Sequence, residues 1–253
     1  MGTSTIYTDN SLNFPYAIAA DSNGNFFIAN YAVTGSATNL VTFNPSANTF
    51  TAISTGTGFG FPVALAADTN HGVWITSGSG NISLAHLDAS GNILFSTDCC
   101  GQTDSVAVDS QGMVWLANTS EDGVQGDSSG SVTLLASNGN ITQPYITAGG
   151  ITVPSHIAID AAQNVWVSNL HTNVRGASES FTELSGSTSS SPGTALSPSA
   201  GYGLDAGLKL PYSVAIDPSG NLWVSNTGSG SLVMFFGMAA PTKTPLMVTP
   251  QAP

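Results

Sequence analysis

A histidine standing where related segments carry small residues is the first group in this chain whose type could do chemistry. His156 takes the place held elsewhere by Ala17, Ala64, Ser105 and Ser213. An imidazole titrates near neutral pH, so it can serve as a general base or a metal ligand; the alternative is a hydrogen-bonded core histidine. His171 follows Asn169 in the same segment, so the two imidazoles could meet. The stretch NTSEDGVQGDSSG, residues 118–130, gathers Glu121, Asp122 and Asp127. Closely spaced oxygen ligands are what a divalent cation such as calcium needs, and a solvated acidic loop is the alternative. The same stretch holds a G-x-S-x-G pattern at Gly126–Gly130. A nucleophile elbow requires a strand-to-helix turn, and no helix is predicted there. Cys99 and Cys100 are adjacent and are the only cysteines; they can close a vicinal ring in an oxidising compartment or remain two thiols. Tyr16, Tyr31 and Tyr212, with Asp104 and Arg175, form a ligand-binding set: aromatic faces beside polar groups suit a sugar ring or a peptide, and ordinary packing is the alternative.

These residues must be positioned by a unit that recurs five times. Its clearest copy is PYSVAIDPSGNLWVSN, Pro211 to Asn226, and the others start at Pro15, Pro62, Thr103 and Pro154. Aligned on Asp21, Asp68, Asp109, Asp160 and Asp217, an aromatic follows six residues later: Phe27, Trp74, Trp115, Trp166 and Trp223. Those include all four tryptophans of the chain. Three residues further on stand Asn30, Ser77, Asn118, Asn169 and Asn226. The aspartates lie 47, 41, 51 and 57 residues apart, a period that signals a propeller or a solenoid.

Within each copy a first apolar run alternates with period two, as a strand does. The Asp-x-x-Gly turn is hairpin chemistry: the carboxylate accepts backbone N–H groups and glycine supplies positive φ. The second run is rich in aromatic and β-branched residues, which also suits a strand. A third strand follows in LVTFNP, ISLAHLD, SVTLLAS, SFTELS and SLVMFFG, and a fourth can follow, as in TFTAIS and NILFST. Four antiparallel strands per unit, repeated, describe the blades of an all-β propeller. The Ala/Ser face lets blades approach, and the aromatic fills the space between them. Burying one tryptophan removes roughly 150–250 Å² from water, on the order of 4–6 kcal/mol as an upper bound.

The pattern Pro…Ala-Ile-Asp-x-x-Gly-Asn-x-Trp-Val-x-Asn resembles NHL-repeat propellers of the bacterial secreted type, from Pro15 to about Gly237, and is similar to the repeats of virginiamycin B lyase-like proteins. The resemblance implies a propeller, and function does not travel with such a fold. In NHL-like amidating lyases, histidines from several blades hold zinc; here one blade alone offers a histidine near its strand start.

The 253 residues are expected to form a single domain of five blades, with six as the alternative: about 15–58, 59–100, 101–150, 151–207 and 208–237. Residues 3–8 (TSTIYT) are expected to supply a strand that closes the ring by completing the fifth blade, because closure removes exposed edges. The Ser/Gly/Pro-rich insertion of the fourth blade reads as a loop wrapping over a face, and 238–253 as a Pro-rich tail. With three Lys+Arg against fifteen Asp+Glu and a formal charge of −12, the chain lacks the basic patches that nucleic acid or an anionic membrane would require. No stretch is long or apolar enough to insert in a membrane. No secretory leader is legible at Met1, yet sparse charge and abundant Ser, Thr and Asn suit a secreted or periplasmic protein. If the Asp-x-x-Gly turns mark one face of the propeller, the opposite face collects the polar and unusual residues. The expectation is a binding or scaffold module that recognises a glycan, peptide or protein through that face. The alternative is a metal-assisted lyase, lactonase or other hydrolase of the virginiamycin B lyase-like kind, with His156 as base or ligand and the acidic loop holding the metal.

Overall fold

Every repeat aspartate closes its hairpin in the same way. In the computed structural model, which describes residues 4–31, 40–54, 60–78, 82–120, 130–170 and 179–243, one carboxylate oxygen accepts two backbone N–H groups of the turn. For Asp109 these come from Gln111 and Met113 at 2.9 Å each, and for Asp160 from Ala162 and Asn164 at 2.9 Å each. In three repeats the other oxygen accepts the indole N–H of the following tryptophan, at 3.1 Å for Trp115, Trp166 and Trp223. The second repeat differs. There Asp68 pairs with His86 Nε2 at 2.6 Å, and Trp74 instead stacks on that imidazole with centroids 4.2 Å apart.

These hairpins grow into five antiparallel sheets. The first contains β1 (Pro15–Ala20), β2 (Phe26–Asn30), β3 (Leu40–Asn44) and β4 (Thr49–Ile53). The second contains β5 (Pro62–Ala67), β6 (Val73–Ser77), β7 (Leu84–Leu87) and β8 (Ile93–Thr97). The third contains β9 (Gln102–Val108), β10 (Val114–Ser120), β11 (Ser131–Leu135) and β12 (Ile141–Ile146). The fourth has three strands, β13 (Pro154–Ile159), β14 (Val165–Asn169) and β15 (Ser180–Leu184). The fifth also has three, β16 (Pro211–Ile216), β17 (Leu222–Asn226) and β18 (Ser231–Phe235). Each sheet runs in simple sequence order, so each is a meander and fits one propeller blade. No α-helix occurs among the described residues.

Four strands per blade therefore holds for three sheets only. In the fourth, the Ser/Gly/Pro-rich insertion takes the outer place and contributes only the bridges Phe181↔Tyr202 and Leu184↔Ala195; Pro192 and Pro198 cannot donate to a ladder. In the fifth, residues 4–8 form no strand. Tyr7 lies instead on Phe43 of the first blade, ring centroids 4.7 Å apart. The segment after β18 turns the other way: Ala240 N–H donates to Asp160 Oδ2 at 3.0 Å, lashing the fifth blade to the fourth.

The core lies between blades. Each offset-six ring covers the aliphatic face of the next blade: Phe27 meets Val73 and Ile75, Trp74 meets Val114 and Leu116, Trp115 meets Val165 and Val167, and Trp166 meets Leu222 and Val224. Phe27, Trp74, Trp115 and Trp166 are all buried. The fifth step is packed differently. Trp223 is only partly covered, and the outward face of blade one (Phe26, Ile28, Val41, Phe43) is closed over by Leu12 and Phe50, not by another indole. An apolar groove of about 420 Å³ remains on that face, lined by Tyr7, Ile18, Phe26 and Phe43 among others.

The turn carboxylates set an acid limit on stability. The Asn221 side chain and the Trp223 indole hold Asp217 down to about 2 from 3.8, and the Asn92 side chain lowers Asp88 in the same way. A depressed folded-state pKa stabilises the fold above the unfolded value, and that stability is lost as pH falls through the folded one. The thermal midpoint is therefore expected to fall as pH drops from about 3.8 to about 2, and Asp217→Asn should flatten part of that slope. An unchanged slope in the variant would contradict this.

Candidate functional site

One irregularity, repeated five times, builds the mouth of the central channel. Each first strand carries a break in its pairing with the second strand near its start, between Pro15 and Ala17, Pro62 and Ala64, Thr103 and Ser105, Pro154 and His156, and Pro211 and Val214. A bulge re-aims the residue it leaves out of the ladder. Here those residues are Tyr16, Val63, Asp104, Ser155 and Tyr212, the last together with Ser213; the first five stand five positions before their repeat aspartates, and all line one cavity of about 1140 Å³. The next residue of each strand, Ala17, Ala64, Ser105, His156 or Ser213, lines it as well. The first strands adjoin in the order β1, β5, β9, β13, β16, and Tyr212 stands beside Tyr16 to bring the last next to the first.

Aromatic rings crowd one arc of this mouth. Tyr16 and Tyr31 lie 5.3 Å apart between centroids, and Tyr31 stacks on Phe61 at 4.7 Å with planes 20° apart. Tyr16, Tyr31 and Tyr212 are 57%, 41% and 44% exposed. Asp104 lines the same mouth and receives hydrogen bonds from the Thr119 hydroxyl and, at 3.4 Å, from Gln102 Nε2. Burial pushes the Asp104 carboxyl above its ordinary value. Burial likewise raises the Tyr212 hydroxyl, helped by Tyr16 and by the negative charge of Asp104.

His156 belongs to the packing between blades as much as to the mouth. Its small-residue counterpart Ser105 accepts the Ile157 N–H at 3.2 Å, joining blade three to blade four. Ser155 and Ser168 donate to the Tyr212 carbonyl at 2.6 and 2.9 Å, joining blade four to blade five. Burial holds the His156 imidazole below its ordinary pKa, with the Val214 backbone pulling the other way. Its Nδ1 is buried without a partner. Burial thus favours the uncharged ring.

The structure brings Tyr16, Tyr31, Asp104, His156 and Tyr212 together at one mouth. His171, Arg175, Glu121, Asp122 and Asp127 lie outside the described residues. Among the described residues no three His, Cys, Asp or Glu side chains stand close enough to hold a metal ion. Cys99 and Cys100 form a vicinal disulfide that packs with Trp74 and Val106 between blades two and three. Val63, Ser155, Phe61 and Gln102 also line the mouth, and residue-type reasoning passed over them. The fixed five-residue interval before each aspartate would have found two of these, Val63 and Ser155. The repeat aspartates are turn residues, each accepting backbone N–H groups of its own hairpin.

No protein-family model matches the sequence, and no curated protein matches it either. Solved structures do match in fold. The chain is similar to a propeller in the nidogen/laminin complex, with 12% identity, a TM-score of 0.62, and coverage of 91% of this chain and 78% of that one. It is also similar to virginiamycin B lyase from Staphylococcus aureus, with 15% identity, a TM-score of 0.60 and coverage of 91% and 72%. A gluconolactonase from Xanthomonas campestris aligns at 14% identity and a TM-score of 0.59, covering 90% and 74%. At such identities the likeness establishes a β-propeller fold and no more.

Proposed function

We propose that the protein is a binding propeller that holds a peptide or protein segment at the channel mouth. The observation that carries this reading is the ring of bulged residues, which sets exposed tyrosines and one carboxylate around a single cavity. Much of the lining between them is aliphatic: Ile18, Val63, Leu65, Val106, Val153 and Leu170. These stand among Gln102, Ser105, Thr119, Ser155 and Ser213, and walls that mix apolar and hydrogen-bonding groups suit the side chains and backbone of a peptide. Tyrosines that are half exposed at a cavity rim are the usual anchors of such contacts, large in area and low in rotamer entropy.

The test is retention of the purified protein on peptide and glycan arrays, compared with a Tyr16→Ala/Tyr212→Ala variant. Retention on peptides that falls at least about tenfold in the variant, with the thermal midpoint held within a few degrees, is the expected result. Retention on glycans alone, or retention indifferent to both tyrosines, would overturn it. So would stoichiometric divalent metal in the purified protein that disappears in His156→Ala, the signature of a metal-assisted lyase or hydrolase.

A further inference from the structure

We propose that the mouth selects a cation: an ammonium or guanidinium group, as carried by a lysine or arginine side chain, seated between the Asp104 carboxylate and the faces of the rim tyrosines. This rests on the binding reading above and adds the charge of what is bound.

Three observations converge on it. First, the bulge in β9 places a carboxylate where the bulges of the other blades place Tyr16, Val63, Ser155 and Tyr212. A carboxylate taken out of water needs a partner, and an unpaired buried charge is expensive. The partners described for Asp104, the Thr119 hydroxyl and the Gln102 amide at 3.4 Å, are both neutral, so the charge itself has no counter-ion among the described residues. Second, cations are scarce. Of the three Lys+Arg in the chain, neither Lys209 nor Lys243 lines the mouth, and Arg175 lies outside the described residues. Burial disfavours charge on His156. Third, the same cavity is lined by aromatic rings, and Asp104 is close enough for its charge to act on the Tyr212 hydroxyl. Ring faces attract cations, most of all in a partly desolvated site. A carboxylate and several π-faces about one cavity therefore complement a positive group better than a neutral one. The formal charge of −12 acts in the same direction at long range, raising the encounter rate with cationic segments.

The experiment uses the whole chain and two peptides, Gly-Ser-Lys-Ser-Gly and the same peptide with norleucine in place of lysine, both with blocked ends. Binding is measured by calorimetry at pH 7 and at two salt concentrations. The lysine peptide is expected to bind about tenfold more tightly than the norleucine peptide, consistent with one paired charge and a cation–π contact. That preference should shrink with added salt and collapse to within about twofold in Asp104→Asn. The variant keeps the side-chain volume and, with its partly buried charge removed, should be at least as stable as the wild type, so loss of the preference would not reflect unfolding. Bound lysine peptide should also lower the pKa of Asp104 followed by carbon-detected NMR, a shift that a merely structural carboxylate would not show. Equal binding of the two peptides, both lost in Tyr16→Ala/Tyr212→Ala, would overturn the cation proposal while leaving the binding reading in place. Binding of neither peptide to the wild type, or an undiminished lysine preference in Asp104→Asn, would overturn the proposal as well. The array measurement above decides the binding reading separately.

Discussion

Replacing Trp166 with alanine is expected to cost about 3–5 kcal/mol, the range for removing a large buried aromatic. The indole is 1% exposed and packs with Phe181, Leu208, Val214, Leu222 and Val224, so its loss opens a cavity between blades four and five. It also leaves Asp160 Oδ2 without the indole N–H that reaches it at 3.1 Å. For a chain of this length each kcal/mol moves the midpoint by roughly 2–4 °C, so a fall of roughly 6–20 °C should be seen in thermal denaturation. Trp223→Ala makes the control. The same ring at the same offset is partly exposed there, with no following blade seated on it as the others are. Its removal should cost about half as much or less. Equal losses at the two sites would mean that stability resides within blades and not between them, contrary to the packing described above.

The second large effect is expected at Asp160. Its carboxylate accepts from four N–H groups: Ala162 and Asn164 at 2.9 Å on one oxygen, and the Trp166 indole at 3.1 Å and Ala240 at 3.0 Å on the other. Alanine would strand these donors in a site where the aspartate itself is buried, at a cost of about 3 kcal/mol or more. Asparagine should fall between. Its amide oxygen can still take the two turn donors, but its NH₂ would face the indole and Ala240 N–H groups, donor against donor. Because Asp160 and Trp166 share a hydrogen bond, Asp160→Ala combined with Trp166→Ala should be less destabilising than the sum of the two. Strict additivity in urea denaturation would rule out that coupling.

Much of this architecture was legible in the residues. The Asp-x-x-Gly turn and the ring six positions later report hairpins and a blade interface, because both act over a few residues of chain. The aspartate turn forms in all five repeats, with His71 and Gln163 at positive φ in place of glycine in the second and fourth and His86 in place of an indole as the partner of Asp68; the ring covers a following blade in four of them. The fourth strands of blades four and five were not legible in the same way. Strand propensity in the N-terminal TSTIYT says that a segment can be extended, not which edge it meets; Tyr7 found Phe43 of blade one. The candidate site was half legible. Tyr16, Asp104 and Tyr212 were chosen for residue type, yet what places them at the mouth is the break in pairing beside each one.

The sequence alone thus determined the repeat, its strands and turns, and the identity of the rings that separate blades. These follow from period-two patterning and from side chains that satisfy their own neighbouring backbone. Only the tertiary structure decided which bulged side chains share a cavity, that the half-buried His156 lies against the blade carrying Val214, and that the fifth interface lacks the offset-six aromatic cover of the other four. Those facts depend on how five sheets, each twisted and rotated relative to the last, add up around an axis, and no single stretch of chain encodes that sum.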